Sequence, residues 1–180
     1  MIYVMLADGF EEIEALTFVD ILRRAQIDVQ TVSAYNTDVV TGSHGIAVTA
    51  DIKIDNINGI SDGIVLPGGL PGTYNLRDNK RVAELLNEFN NNGKYVAAIC
   101  AAPSVLGGLG ILNQKQATCY PSFEETLTGA LVSKDRVVAD GNIITSRGAG
   151  TAHDFAFKFV ELIKGKKVAD DIRSSMLYDC

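Results

Sequence analysis

The chain has 180 residues, 47% of them hydrophobic and 21% charged, with a formal net charge of −6. That length closes a sizeable core without metal or disulfide help, so one domain over 1–180 is expected. Neither the clustered Lys and Arg of a nucleic-acid or anionic-lipid footprint nor an apolar run of membrane length is present, and MIYVMLADGFEE carries no leader pattern, so a cytoplasmic protein with small-molecule or protein partners is expected.

Short apolar runs rich in β-branched residues alternate with amphipathic stretches, the pattern of an α/β fold. IYVMLA (2–7) reads as a strand, and EEIEALTFVDILRRA (11–25) as a helix with Ile13, Leu16, Val19 and Leu22 on its apolar face. DVQTVSA (28–34) is a second strand and completes a βαβ unit. Across VVTGSHGIAVTA (39–50) the pattern turns hairpin-like, with Gly42 and Gly45 as turn residues. The sheet resumes at DGIVLP (62–67), after which PGGLPGTYNLRDNKRVAELLNEFNNNG (67–93) predicts a Gly/Pro turn and one helix ending at Asn and Gly93. YVAAIC (95–100) is apolar throughout, as a strand covered on both faces requires. QATCYP (116–121) adds a short strand, RVVADGNIITSR (136–147) a pair around Asp140–Gly141, and TAHDFAFKFVELIKG (151–165) a closing helix.

Ligands of parallel sheets gather beyond the C-terminal strand ends, which directs attention to the residues just after each strand. Cys100 is the strongest candidate there. Ala101, Ala102 and Pro103 supply the small neighbours and helix start that a nucleophile elbow needs, and a helix N-terminus favours a thiolate. A buried cysteine acting as a small apolar residue explains the position equally well. Cys119 and Cys180 read as packing and as a tail residue. An odd number of cysteines without C-x-x-C spacing, and His44 and His153 far apart, predict free thiols and no metal site.

Asp8, Glu11, Glu12 and Glu14 follow the first strand, and by spacing alone they read best as acids favouring a helix dipole. Glu14 also borders the apolar stripe, where a desolvated carboxyl would exchange protons with a thiol. Gly68 and Gly69 form either an ordinary turn or a close backbone approach that aims N–H groups at an oxyanion. SRGAGTAHD, with Arg147, offers an anion cradle but lacks the third glycine of a dinucleotide fingerprint, and the acidic first loop repels a flavin phosphate; no cofactor is expected.

Taken together, LADGFEEIEA, DGIVLPGGLPG, VAAICAAPSVL and ITSRGAGTAHDF, in this order and at these intervals, resemble the ThiJ/PfpI superfamily over essentially the whole chain. The likeness is nearest to the branch of the Parkinson-associated protein deglycase. It implies a flavodoxin-like three-layer α/β sandwich with a mostly parallel sheet, usually a homodimer, and a reactive cysteine on a nucleophile elbow. By resemblance Cys100 is that cysteine, Glu14 the protonated glutamate bonded to its thiolate, and Gly69 and Ala101 the source of the oxyanion-pocket N–H groups. Arg24 and His44 match positions around the site or dimer interface, His44 in place of an arginine. With Gly68 and Tyr120 they make up the expected substrate-binding set. Tyr120 stands where that branch often has histidine, and Ala101 where the peptidase-like branch has one, which disfavours a Cys-His protease.

The activity implied is cofactor-independent conversion of methylglyoxal or glyoxal to a hydroxy acid, as in a glyoxalase III, or deglycase-like release of early glycation adducts. Its substrate is a small aldehyde or a glycated group. The alternative is an oxidative-stress sensor or chaperone using the same cysteine, and amidase or peptidase action ranks below both.

Overall fold

Period-two alternation sets the layers. In β1 (Ile2–Leu6) all five residues are buried, with Ile2, Val4 and Leu6 in one apolar layer and Tyr3 and Met5 in the other. The computed structural model describes residues 1–178, so Cys180 lies outside the described residues. The further strands are β2 (Val29–Ser33), β3 (Val39–Thr41), β4 (Ala47–Thr49), β5 (Ile52–Lys53), β6 (Gly63–Leu66), β7 (Tyr95–Ile99), β8 (Gln116–Ala117), β9 (Leu131–Val132), β10 (Val137–Asp140) and β11 (Ile143–Ser146). Seven of them form one sheet in the order β10-β11-β7-β6-β1-β2-β5, parallel except for the β10–β11 pair.

Helices cover both faces. On one side lie α1 (Glu12–Arg24), α5 (Ala152–Lys164) and α6 (Lys166–Ser175); on the other lie α2 (Gly72–Asp78), α3 (Lys80–Asn91) and α4 (Pro103–Gly108). This is the flavodoxin-like three-layer arrangement. Phe18 of α1 packs against Phe155 and Phe159 of α5, with ring centroids 5.2 Å apart in both pairs. The hairpin forms as β3 and β4, turning at Gly45, whose φ is +81°.

Three expectations need correction. Ile13 and Leu16 are not on the buried face of α1: they are 53% and 37% exposed, and the core face carries Glu14, Ala15, Phe18, Val19, Ile21 and Leu22. Docking against α5 chooses that face, and it turns Glu14 inward. The single helix expected after the Gly/Pro turn is two, because Asn79 ends α2 and its side chain caps α3 by accepting from the N–H groups of Arg81 and Val82. The expected closing helix is followed by α6, reached through Gly165 at φ +89°.

The strand order reverses beside β1. The chain runs outward from β1 to β2 and β5, then returns to pair β6 on the other edge of β1. Loops leaving β1 and β6 therefore part, and they open a crevice at the carboxyl ends of the strands.

Candidate active site

Cys100 follows β7 directly and has φ +67°, a left-handed conformation costing a non-glycine residue about 1–2 kcal/mol. Two bonds hold it there: its N–H donates to Ser146 O at 3.0 Å, and its carbonyl accepts from Tyr120 N–H at 2.8 Å. This is the geometry of a nucleophile elbow. The N–H groups of Gly69 and Ala101 stand near enough to the Cys100 thiol to pull its ionisation down.

Gly68 lets that arrangement close. A Cβ at Gly68 would stand 2.5 Å from Cys100 Cβ, 2.8 Å from Glu14 Oε2 and 2.9 Å from Ile99 O. Gly69 has φ +88° and lies against the backbone of Gly9, Phe10 and Glu11. Gly68→Ala is therefore expected to cost about 1–3 kcal/mol in urea unfolding and to slow alkylation of Cys100. An unchanged midpoint and an unchanged rate would show that the pocket has room to spare.

Glu14 reaches the same point from α1. It is 1% exposed, and its Oε2 accepts Gly68 N–H at 2.8 Å. Its Oε1 is buried yet has no hydrogen-bond partner among the described residues, and Cys100 and Glu11 are the ionisable groups that act on the carboxyl. Burial pushes the Glu14 carboxyl up to about 7; the Gly68 N–H opposes this, the Glu11 charge adds to it, and the Cys100 thiol opposes it. Burial likewise pushes the Cys100 thiol up, with the Glu14 carboxylate adding its charge and hydrogen bond, to about 12, against the pull of the Gly69 and Ala101 N–H groups. Burial and mutual repulsion thus keep the two from ionising together, and above about 7 the pair holds one proton.

The other acids of the first loop have structural partners. Asp8 Oδ1 accepts Thr41 N–H at 2.9 Å, and Glu11 Oε2 caps α1 by accepting Glu14 N–H at 2.7 Å. Glu12 accepts the N–H and the Nδ1 of His44, both at 2.7 Å, and Ser43 Oγ at 3.2 Å. Burial alone would raise Glu12, but these bonds hold it down to about 2. His44, raised by the same pairing, ties the hairpin to α1.

Not every expected residue joins the cluster. Glu14, Gly68, Gly69, Cys100 and Ala101 meet. Tyr120 flanks them: its ring would lie 3.3 Å from a Cβ at Gly148, and the same Cβ would be 3.9 Å from Glu14 Oε1. His44 turns to Glu12 instead of Cys100. Arg24 pairs with Asp20 at 2.6 Å near the far end of α1, ten residues or about 15 Å along the helix from Glu14. Neither His44 nor Arg24 therefore reaches the thiol within one chain. The 146–151 loop is no anion cradle, since the N–H groups of Arg147 and Gly148 donate to Thr151 Oγ1 and the Arg147 side chain donates to Lys134 O. Ser146, itself tied to Thr151 Oγ1 at 2.7 Å, instead braces Cys100, and Gly148 leaves room for Tyr120, roles that only the glycine and hydroxyl spacing of SRGAGT could have suggested.

Residues 1–162 match the model of the DJ-1/PfpI family. Protein DJ-1 homolog A of Arabidopsis thaliana is 40% identical over 98% of this chain, which spans 46% of that relative's length. A deglycase of Pyrococcus abyssi is 31% identical over 91% of this chain and 99% of its own. The solved structure of oxidized DJ-1 from Toxoplasma gondii superposes with a TM-score of 0.95 at 36% identity, covering 99% of this chain and 98% of that one. By the family match and by the full-length likeness to the Pyrococcus relative, the chain belongs to the DJ-1/PfpI family.

Proposed function

We propose that this protein converts small 2-oxoaldehydes such as methylglyoxal and glyoxal to hydroxy acids, using Cys100 and Glu14 and no cofactor. The observation that carries this reading is a buried carboxyl, Glu14, packed through Gly68 beside a cysteine held on an elbow at φ +67°. In the one-proton state the Gly69 and Ala101 N–H groups favour charge on the sulfur, and the carboxylate has one donor, from Gly68. That balance favours proton on Glu14 and negative charge on sulfur, with Oε1 as its seat.

The thiolate adds to the aldehyde carbon, and the carbonyl electron pair takes the Glu14 proton to give a hemithioacetal. The Gly69 and Ala101 N–H groups stabilise the developing oxyanion. Glu14, now a carboxylate, removes the C–H proton of that carbon to give an enediol as the neighbouring carbonyl oxygen takes up a proton, then returns its proton to that neighbouring carbon while the first hydroxyl loses its own, leaving a thioester of the hydroxy acid. Water attacks the thioester, the carbon–sulfur bond breaks, and the thiolate is restored. Overall one water is added, with no external oxidant. Tyr120 lines the entrance and is available to bond the substrate.

The deglycase name of the Pyrococcus relative supports the same site acting on carbonyl adducts of amines. Exposed Ile13, Leu16 and Ile46, beside the hairpin that His44 ties down, support a homodimer across this face, which a monomeric sedimentation profile would contradict. The chemistry is tested by lactate formation from methylglyoxal with purified protein and no added thiol. Sustained lactate release is expected. No release, together with a stable two-oxygen adduct on Cys100 under mild peroxide, would instead favour a redox-sensing role, the reading supported by the oxidized Toxoplasma relative.

A further inference from the structure

We infer that Tyr120 is the specificity-determining wall of the site, whose ring holds the substituent of a 2-oxoaldehyde to about the size of a methyl group. This rests on the carbonyl-converting reading above and narrows its substrate class to glyoxal, methylglyoxal and compounds of like bulk. The wall is fixed through the elbow itself, because Tyr120 N–H donates to Cys100 O at 2.8 Å and Tyr120 O accepts Phe123 N–H at 3.1 Å. Its ring, half exposed, leans over Gly148, a buried glycine that also faces Glu14.

One carbon serves as a gauge of the space. Placed as a Cβ on Gly148, it would stand 3.3 and 3.7 Å from the Tyr120 ring and 3.9 Å from Glu14 Oε1. The near ring edge and Oε1 are therefore no more than about 7 Å apart, a gap that a single carbon in van der Waals contact with both would fill. Glu14 carries the proton between the two substrate carbons in the proposed reaction, and Oε1 is its oxygen without a hydrogen-bond partner among the described residues. The second carbon must then come to Oε1, and the group it bears meets Tyr120. The Gly68 side gives no relief, since a carbon added there would stand 2.5 Å from Cys100 Cβ and 2.8 Å from Glu14 Oε2. A hydrogen or methyl substituent fits, whereas a phenyl ring or a branched chain collides with Tyr120.

Iodoacetamide and its N-phenyl form, iodoacetanilide, test this. Both alkylate a thiolate with loss of iodide, and their CH2, carbonyl carbon and nitrogen take the places of the aldehyde carbon, second carbon and methyl of methylglyoxal. The ratio of their rates at Cys100, read by peptide mass spectrometry and divided by the ratio for glutathione, cancels any change in thiolate fraction. Wild-type protein is expected to favour iodoacetamide by about tenfold beyond the free thiol. Tyr120→Ala, at a half-exposed position whose backbone bonds survive, should reduce that preference to about threefold or less. Tyr120→Phe should keep it, because the ring and not the hydroxyl forms the wall. A wild-type ratio equal to that of glutathione, a preference unchanged in Tyr120→Ala, or one lost in Tyr120→Phe overturns the inference. Since alkylation needs no turnover, the wall and the proposed reaction can fail separately.

Discussion

Cys100→Ser is expected to lower lactate formation from methylglyoxal by at least about 10³-fold, to the level of buffer. Serine keeps the shape but removes a group that ionises within reach of Glu14, whose carboxyl titrates near 7 and cannot deprotonate an alcohol. Folding should survive, because the elbow is held through the backbone by Ser146 O and Tyr120 N–H, which the variant retains. The check is a paired assay of turnover and urea unfolding, with a midpoint shift of less than about 1 kcal/mol. Turnover retained in a folded Cys100→Ser protein would remove the cysteine from the chemistry.

Glu14→Gln separates function from stability. The amide still donates to sulfur but cannot carry a proton between carbons, so turnover should fall by about 10²–10³-fold. Stability should move the other way. Folding moves the first proton loss of the Glu14–Cys100 pair from the carboxyl's ordinary 4.5 up to about 7, so the folded chain is favoured while the pair is fully protonated and loses stability as pH rises across that window. Linkage puts the loss at about 3 kcal/mol. Glutamine has no charge to bury. The variant should therefore be more stable than wild type by that amount at about pH 8, and equal to it at about pH 4.5. A variant less stable than wild type at the higher pH would mean that the buried negative charge of the pair is better compensated than the unpartnered Glu14 Oε1 indicates.

This opposition explains why the site was only partly legible in the sequence. Alternation in IYVML and the apolar run YVAAI state their burial outright, and the glycines of GSHG state a hairpin turn. The helical stripe of α1 did not identify its buried face, because Ile13 and Leu16 offer a rival stripe. Phe155 and Phe159, some 140 positions away in sequence, decide between them by packing on Phe18. Burial of Glu14 follows from that distant contact, so a local reading leaves it among the acids of an ordinary first turn. Cys100 was ambiguous for a related reason. Its neighbours permit an elbow, but the bonds that fix the elbow come from Ser146 and Tyr120, each on a separate segment. The break at Asn79 was missed because a polar cap between two helices carries neither Gly nor Pro.

The account turns on where the pair keeps its single proton, and the pH dependence of Cys100 alkylation by iodoacetamide reads this directly. With the proton on Glu14, the wild-type rate rises as the pair loses its first proton near 7 and then stays level, while the rise in Glu14→Gln moves up by about one unit or more. A wild-type rate that stays low through neutrality and climbs only toward about 12 would place the proton on sulfur and contradict the account.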